Sequence, residues 1–159
     1  MTTKNTDLVA NFEATPPVLN NAAELAGVVR TAHGQVELAA GDSTDNDIVM
    51  LAPIPSNAAI PQLFVGSDTF GGSCTFNVGI YQTDGTVKDE DVFASLVADA
   101  AGMADVRFEA ANIDTASKKM YELAGDTTDP GGHYYIAATM AADGQTAGTM
   151  SWNISYVVN

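Results

Sequence analysis

Short segments in which apolar and polar side chains alternate recur along the chain. Segment 149–158 has an apolar residue at every second position, namely Met150, Trp152, Ile154, Tyr156 and Val158. Segment 133–140 repeats this pattern with Tyr134, Ile136, Ala138 and Met140. Successive side chains of a β-strand point to opposite faces of the sheet, so a period of two is typical of a strand with one buried face. We therefore predict two strands at the end of the sequence.

The residues between these two strands favour a direct reversal of the chain. Segment 142–148 contains Asp143-Gly144 and a second glycine, Gly148. Glycines in such turns readily take positive φ angles, so we expect an antiparallel hairpin. The polar positions of segment 149–158 carry only Thr, Ser and Asn. Because an uncharged strand edge invites pairing with another chain, this hairpin is expected to be central in its sheet or covered by a neighbouring subunit.

Further strands are predicted at 35–38, 48–51, 59–65, 75–81 and 105–110. Segment 48–51 is apolar on both faces, which predicts a strand in the middle of a sandwich that is stopped by Pro53 and Pro55. Pro61 predicts an edge position or a bulge in the next strand. Turns are expected at Asp84-Gly85 and at the Asp-Pro-Gly-Gly sequence that begins at Asp129.

Two segments have the pattern of a short helix. In the first, one helical face would carry Val92, Phe93, Leu96, Val97 and Ala100. The acidic residues 89–91 favour the positive N-terminal end of this helix, and Gly102 is placed to end it. The same residues also fit a strand, which stays the alternative. Residues 117–123 predict a second helix, capped by Ser117 and ended by Gly125.

Together these elements predict an all-β chain that forms a β-sandwich. The chain has 159 residues, 46% of them apolar, which suits one domain with a core of its own. The regular spacing of strands and turns favours a jelly roll with at most two short helices. We predict an extended N-terminal arm at residues 1–27 and the β-sandwich domain at residues 28–159.

The predicted arm carries apolar residues that a flexible linker does not need. Pro16-Pro17 disfavours regular helix and holds the chain extended. Twenty-five extended residues reach roughly 80 Å, far enough to cross to another subunit. The candidate contact residues of this arm are Leu8, Val9, Phe12 and Val18.

The charge balance narrows the classes of partner. The chain has 20 acidic and 6 basic residues, a net charge of −14. Nucleic acids and anionic membrane surfaces bind through clustered Lys and Arg, so neither is an expected partner. No apolar run approaches the roughly 20 residues of a membrane span, and residues 1–20 lack a secretory signal pattern. We therefore expect synthesis in a cytoplasm.

Candidate chemistry is sparse in this sequence. His33 and His133 belong to no catalytic or metal-binding motif, and Cys74 has no second cysteine to pair with. The acidic loop with Asp42, Asp45 and Asp47 has oxygen ligands that suit calcium, but a solvated loop is the preferred interpretation. No nucleophile is paired with a base, so we predict no enzyme, no cofactor and no metal.

Four segments resemble small structural proteins of tailed-bacteriophage virions, of the head decoration or cement type. They are 34–38 (GQVEL), 47–58 (DIVMLAPIPSNA), 77–91 (NVGIYQTDGTVKDED) and 126–137 (DTTDPGGHYYIA). The similarity spans residues 30 to 158. This resemblance implies a capsid-binding sandwich on the outside of the shell, often a homotrimer.

The function that this resemblance implies is structural. We expect a protein, made in the host cytoplasm, that binds the exterior of a phage capsid and stabilises it by bridging subunits of the major capsid protein. The arm and the uncharged sheet face are the expected contacts. The alternative is a virion fibre base or a glycan-binding β-sandwich module, for which Tyr81, Tyr121 and Tyr135 are the aromatic candidates.

Overall fold

The chain forms a sandwich of two antiparallel four-stranded sheets, which confirms the predicted all-β fold. The computed structural model describes residues 4–20, 25, 27–99, 102–110 and 112–158. The strands are β1 (Val29–Leu38), β2 (Ile48–Pro55), β3 (Ala58–Ser67), β4 (Thr75–Tyr81), β5 (Val87–Ala98), β6 (Ala104–Asp105), β7 (His133–Met140) and β8 (Gly148–Val158). The helices are α1 (Asp7–Glu13) and α2 (Met120–Leu123), and a 3-10 turn lies at Ile113–Thr115.

The chain passes repeatedly from one sheet to the other. The first sheet has the strand order β1-β8-β3-β6, and the second has the order β2-β7-β4-β5. Among the strands of the described ranges, β4 and β5 are the one consecutive pair that is hydrogen-bonded together. Between the sheets lies the core, whose fully buried members include Ile54, Ile60, Leu63, Phe76, Val78, Ile80, Phe93, Ile136, Met150 and Ile154.

The predicted hairpin between β7 and β8 is wrong, although both strands are confirmed. β7 pairs with β2 and β4, whereas β8 pairs with β1 and β3. The connection crosses from one sheet to the other, and within it Gly144 donates its N–H to the carbonyl of Ser43 at 2.7 Å. Neither Gly144 nor Gly148 has a positive φ. Each of the two strands is central in its own sheet. Of the two arrangements expected for these uncharged strands, a central position or a covering subunit, the structure has the first.

The prediction of an interior strand at 48–51 is also wrong. β2 forms an edge of the second sheet and continues through Pro53 to Pro55. An edge strand tolerates proline because the position without an N–H can face solvent, so no hydrogen bond between strands is lost. The apolar residues on its second face, Ile48 and Met50, are exposed. The expected bulge at Pro61 is confirmed, since the pairing of β3 with β8 is irregular between Ala59 and Gln62.

Residues 92–98 belong to strand β5, so the preferred helix there is wrong and the alternative is confirmed. The hairpin before it explains the outcome, because Gly85 takes a φ of +87° and Gln82 donates its N–H to the carbonyl of Thr86 at 2.8 Å. This turn aligns β5 with β4 and buries Phe93 in the core. Ala100, the end of the predicted helix, lies outside the described residues.

Two other predicted elements are shorter than expected. Of the strand predicted at 105–110, only Asp105 belongs to a strand, β6. The chain then turns, and the side chain of Arg107 enters the interior. The second helix begins at Met120 rather than at Ser117. Glu122 caps it by accepting the N–H of Lys119 at 2.7 Å. Gly125, with a φ of +81°, follows its end as predicted.

Within the predicted extended arm, Asp7–Glu13 forms helix α1. The helix lies before Pro16-Pro17, so the prolines do not interrupt it. Residues 1–3, 21–24 and 26 of this arm, and Asn159, lie outside the described residues. The division into an arm and a sandwich domain at residue 27 stays a prediction.

Candidate interaction surfaces

The four predicted contact residues lie together in one short unit at the N-terminus, which we call the N-terminal segment (residues 4–20). Phe12 of helix α1 is 77% exposed, Val9 and Val18 are also exposed, and Leu8 is half-buried. Leu19, which the sequence analysis did not single out, is 96% exposed. The segment therefore presents an apolar surface to solvent.

Hydrogen bonds within the N-terminal segment fold its second half back on the helix. Val18 donates its N–H to the carbonyl of Asn11 at 3.0 Å. The Asn11 Nδ2 donates to Asn20 Oδ1 at 2.7 Å, and Asn20 Nδ2 donates to the carbonyl of Leu8 at 3.3 Å. These bonds hold Phe12 and Val18 in one unit without using their apolar side chains.

An open groove runs between the two sheets at the side formed by β5 and β6. It has a volume of about 630 Å³ and is lined by Val97, Ala98, Ala104, Asp105, Val106, Phe108 and Glu109. Most of these side chains are apolar, and Phe108 is partly exposed in it. We call this feature the β5–β6 groove. The Asp105 carboxylate already accepts the N–H groups of Leu63 and Arg107.

A second groove lies at the opposite side, between β1 and β2. Its lining combines the apolar residues Val36, Leu38, Ile48, Val49 and Met50 with Glu37, Asp42 and Asp47. Three carboxylates in one groove of about 470 Å³ make it an acidic surface. It is therefore less suited to an apolar or acidic partner than the β5–β6 groove.

The outer face of the first sheet is almost free of charge. Cross-strand pairs place His33 beside Asn153, Gln35 beside Ser151 and Thr31 beside Ser155. On the other side of β8, Gln62, Phe64 and Gly66 occupy the same face. Glu37, hydrogen-bonded to Thr149 Oγ1 at 2.7 Å, and Asp105, which pairs with Phe64, are carboxylates at its margins. We call this surface the neutral face.

The outer face of the second sheet is instead partly covered by β5. The pairing of β4 with β5 skips several β5 residues between Asp89 and Ala94, so this part of the strand bulges. A Cβ added to Gly79 would lie 2.1 Å from the Asp89 carbonyl oxygen. Beneath the bulge, the buried Tyr81 hydroxyl is hydrogen-bonded to Thr139. Tyr81 is thus not available as a platform for sugar.

A polar groove of about 400 Å³ lies beside the loop that precedes β7. Its lining includes Lys88, whose Nζ lies 2.8 Å from Asp126 Oδ1, and Tyr134, whose hydroxyl donates to Asp126. Hydrogen bonds from Lys88 and Tyr134 lower the pKa of Asp126, and burial raises the pKa of Tyr134. Lys88 and Tyr134 thus both have Asp126 as their hydrogen-bond partner. The arrangement favours a structural role, which holds this loop in place, over proton transfer.

Two of the three aspartates that suggested a cation accept hydrogen bonds within their own loop. Asp42 accepts the N–H of Ala39, and Asp47 accepts both the N–H and the hydroxyl of Thr44. The hydrogen bonds from Thr44 lower the pKa of Asp47. Among the described residues, no group of three His, Cys, Asp or Glu side chains is placed to hold a metal ion.

The remaining candidate groups lie apart. His33 and His133 are exposed at different sheets, and Cys74 is buried. Burial raises the pKa of the Cys74 thiol, which lies 3.2 Å from the carbonyl of Ala142. No helix in the described ranges has the length and apolar character to span a membrane.

Arg107 is a structural residue that the sequence analysis missed. Its side chain is fully buried, and it donates from Nε to the carbonyl of Ile60 at 2.7 Å and from an Nη to the carbonyl of Thr115 at 3.0 Å. The guanidinium lies over the rings of Phe93 and Phe108. Burial lowers the pKa of Arg107 to about 10. The arginine thereby fastens one wall of the β5–β6 groove.

Solved structures with a similar fold come from phage capsids. A chain of the cyanophage Pam1 capsid asymmetric unit aligns with a TM-score of 0.52 and 16% identity, over 84% of this chain and 86% of that chain. A chain of the capsid of Ralstonia phage GP4 aligns with a TM-score of 0.57 and 20% identity, over the same shares. At these identities the likeness establishes a shared fold. No protein-family model matches the sequence, and no curated protein matches it.

Proposed function

We propose that this protein is a structural component of a phage virion that binds the exterior of the capsid and stabilises it by bridging subunits of the major capsid protein. It is made in the host cytoplasm and acts as a decoration or cement protein. The observation that best supports this proposal is the fold shared with chains of two phage capsids over 84% of the sequence.

The surfaces of the molecule support a role in holding other proteins. The N-terminal segment presents Phe12 and Val18 to solvent, and the neutral face carries Glu37 and Asp105 at its margins, with uncharged residues between them, although the chain has a net charge of −14. A capsid surface can approach these two areas without opposing a carboxylate cluster. Contacts that are individually weak still stabilise a shell when they are repeated over it, because each one favours the assembled state by mass action.

We also propose that the sandwich is a jelly roll and that the protein is a homotrimer. The strand orders β1-β8-β3-β6 and β2-β7-β4-β5 alternate between the sheets as two interleaved Greek keys do. A closed ring of three copies would cover the edges at β1 and β5, which have a partner on one side only within the described chain.

Binding to undecorated capsids tests the proposed function. Expanded capsids that lack this protein, prepared from the virus that encodes it, are titrated with the purified chain. We expect binding that saturates at a fixed number of copies per capsid and raises the temperature at which the capsids disrupt. Deletion of residues 1–25 is expected to weaken the binding. A chain that sediments separately from the capsids at every concentration contradicts the proposal.

A matched pair of variants tests the neutral face. Replacing Ser151 and Asn153 with Asp adds two charges to this face, and replacing Thr127 and Thr128 with Asp adds the same charge at exposed positions near the polar groove. We expect weaker capsid binding for the first pair alone. Equal binding by both double variants contradicts a capsid contact through the neutral face.

The structure gives the glycan-binding alternative no aromatic platform among its named candidates. Tyr81 is buried, and Tyr121 and Tyr135 are only partly exposed. Tyr135 pairs with the buried Tyr81 on the neighbouring strand. Because a sugar platform needs exposed ring faces, capsid binding is the function that these surfaces support best.

A further inference from the structure

We infer that the open edge of β1 receives an extended, basic segment of another protein, with apolar residues at every second position, as an added strand of the first sheet. The inference goes beyond the proposed function, because it assigns a partner chemistry to one strand edge and does not depend on binding to a capsid. It rests on the regularity of this edge, the direction of its backbone groups and the acidic groove beside it.

Within the described ranges, β1 is the edge strand that lacks the features by which proteins hinder strand addition. Those features are prolines, bulges and very short strands. β2 contains Pro53 and Pro55, β5 bulges and has Leu96 at a φ of +54°, and β6 has two residues. β1 instead pairs with β8 over all its ten residues without a register shift and contains no proline. A further strand can therefore pair with β1.

The hydrogen bonds of β3 determine which backbone groups of β1 point to the open side. The carbonyl of Leu63 accepts the N–H of Val106 at 2.8 Å, so the backbone groups of Leu63 point away from β8. Because alternate residues of a strand bond to opposite neighbours, Ile154, which lies opposite Leu63 on β8, bonds to Ala32 of β1. The residues of β1 whose N–H and carbonyl groups point to the open side are therefore Val29, Thr31, His33, Gln35 and Glu37.

The side chains of an added strand would meet different surroundings on the two faces of the sheet. On the neutral face they would lie beside His33 and Gln35, which are polar and exposed. On the inward face they would lie beside Gly34 and Val36. A Cβ added to Gly34 would lie 2.7 Å from a ring carbon of Trp152, so the indole packs directly on this glycine. An apolar or cationic side chain opposite Gly34 is therefore placed beside an aromatic ring.

The groove between β1 and β2 indicates the composition of the partner. We call it the β1–β2 groove, and its lining is Val36, Glu37, Leu38, Gly41, Asp42, Asp47, Ile48, Val49 and Met50. A strand added to β1 extends the first sheet past its present edge, so its inward side chains lie over this groove. Apolar side chains there would cover Ile48 and Met50, which are exposed.

The charge of the β1–β2 groove favours a basic partner. Glu37 lies at the end of β1, and the loop that follows brings Asp42 and Asp47 to the same groove. Lys or Arg between the apolar residues of an added strand would lie near these carboxylates. Hydrogen bonds between charged groups of opposite sign are stronger than those between neutral groups. An acidic segment would instead be repelled.

The composition of this chain argues against a second copy as the source of the strand. The chain has 20 acidic and 6 basic residues. Of the eight strands in the described ranges, only β1 and β5 contain a basic residue, Arg30 and Lys88 respectively. None of them combines alternating apolar residues with several positive charges. In the trimer proposed above, the added strand would lie between β1 and the neighbouring copy.

Amide hydrogen exchange with a synthetic peptide tests the pairing. The probe is a peptide of the length of β1 in which Val and Lys alternate, added to the purified protein without capsids. We expect binding to slow the exchange of the N–H groups of Thr31, His33 and Gln35 about tenfold or more. The N–H of Ala32, which is already bonded to β8, is expected to change little. The fluorescence of Trp152, the single tryptophan of the chain, should shift over the same range of peptide concentration.

Two control peptides separate strand pairing from attraction between charges. A Val-Lys peptide with a fully N-methylated backbone keeps the charge and loses the N–H groups. A peptide in which Val and Glu alternate keeps the N–H groups and reverses the charge. Neither is expected to protect β1. No protection by the Val-Lys peptide, or equal protection by either control, contradicts the inference.

A matched pair of variants tests the role of the groove carboxylates. Glu37→Gln is expected to weaken binding of the Val-Lys peptide about two- to fivefold, as for the loss of one exposed ion pair. Glu109→Gln removes the same charge at an exposed position in the β5–β6 groove and is expected to leave the affinity unchanged. Equal affinities for the two variants contradict a contact beside Glu37.

Exchange measured without any peptide distinguishes the other possible occupants of this edge. Slow exchange of Thr31, His33 and Gln35 that becomes fast on dilution means that a second copy covers β1. Slow exchange at every dilution means that another segment of the same chain covers it. Either result contradicts the inference, which requires these N–H groups to exchange rapidly until a basic strand is added.

Discussion

Aspartate side chains close several loops of the sandwich by accepting hydrogen bonds from backbone N–H groups. Asp99 accepts the N–H of Phe70 at 2.6 Å, and Asp143 accepts the N–H of Asp45 at 2.8 Å. Asp129 does the same for Gly131. A carboxylate is a strong acceptor for such groups, and a loop with a satisfied backbone is held in one conformation. Part of the acidity of this chain is therefore structural, beyond its effect on solubility.

A single glycine permits the bulge of β5 to pack on β4. Gly79→Ala would place a Cβ 2.1 Å from the Asp89 carbonyl oxygen and 2.3 Å from the Glu90 carbonyl carbon. Because both are backbone atoms, the bulge must move, and we expect a loss of about 3 kcal/mol or more in the free energy of unfolding. Urea denaturation measures this loss.

Gly41→Ala is the matched control for this prediction. No atom lies within 4 Å of a Cβ built on Gly41, and its φ is not positive. We expect a change within about 0.5 kcal/mol, as for other surface substitutions. Equal midpoints for the two variants would show that β5 does not press against Gly79.

The alternation of apolar and polar residues located the strands well. The sequence was misleading where a contact with a distant residue decides the conformation. The period of two in 133–140 is a local property, and β7 confirms it. Arg107 was overlooked because a lone arginine between Val106 and Phe108 has no motif that marks it as buried. Its partner Ile60 lies 47 residues away in the sequence and becomes a neighbour only in the fold.

At the scale of elements, β5 shows how an edge strand is shaped by irregular residues. Leu96 has a φ of +54° and a side chain that is 61% exposed, and its N–H bonds to Asn77 Oδ1 at 2.9 Å. Near it the pairing with β4 shifts between Phe76 and Val78. Bulges of this kind disrupt the ladder at the edge, which makes addition of a foreign strand less favourable.

Leu96 has a left-handed backbone conformation that leucine rarely adopts, so a residue that tolerates it better is expected to stabilise the protein. Leu96→Asn keeps a side chain that tolerates positive φ and loses little apolar burial, so we expect a gain of about 0.5–1 kcal/mol. Val87→Asn, also exposed on β5 but without a positive φ, should lose about 0.5–1 kcal/mol because Asn is a poor strand residue. Thermal denaturation of both variants checks the opposite signs, and a loss in both contradicts the explanation.

The pairing of elements was harder to predict than their existence. Alternation identified β4, β7 and β8, but the partner of a strand depends on residues far away in the sequence. Asp143-Gly144 has the sequence of a hairpin turn, yet a Cβ at Gly144 would lie 2.3 Å from Ser43 Oγ. The glycine is thus required by close packing against another loop. In β5 the apolar residues fit the spacing of a helix as well as that of a strand, so the sequence alone allowed both. Pairing with β4 makes this segment a strand.

The contact surfaces could be predicted only in part. The sequence identified the apolar residues of the N-terminal segment and the uncharged outer positions of β8, because both are local features. It gave no sign of the β5–β6 groove, whose walls come from two different sheets. It also predicted no helix at α1, since the effect of Pro16-Pro17 was extended to residues that precede them.

At the scale of the whole molecule, we expect stability to fall in acid. Hydrogen bonds lower the pKa of Asp47, Asp84, Asp126 and Asp129 in the folded state. The unfolded chain, with carboxyl pKa values of about 3.9, therefore binds protons first as the pH falls. This stabilisation is fully present above about pH 5 and is lost as the pH falls through the folded pKa values. Urea midpoints at pH 7, 5, 4 and 3 measure the trend.

The variant Asp126→Asn tests the origin of this pH dependence. It is expected to be less stable than the unmodified chain at pH 7, because Lys88 and Tyr134 lose their charged partner, with a difference that shrinks toward pH 3. Asp89 has the opposite sign, since burial first and then its acidic neighbours raise its pKa. A constant difference between the two proteins at all pH values contradicts the assignment to Asp126.

The pairing of β1 with β8 and of β2 with β7 sets the moment at which this protein can fold during its synthesis. The edge strands β1 and β2 each have one partner in the described chain, and both partners lie within residues 133–158, so neither sheet can be completed until β7 and β8 have been synthesised. Nascent β1 and β2 must wait as unpaired strands. The sandwich therefore closes only after β7 and β8 have been made, and a ribosome stalled before residue 133 holds a chain that lacks the partners of β1 and β2.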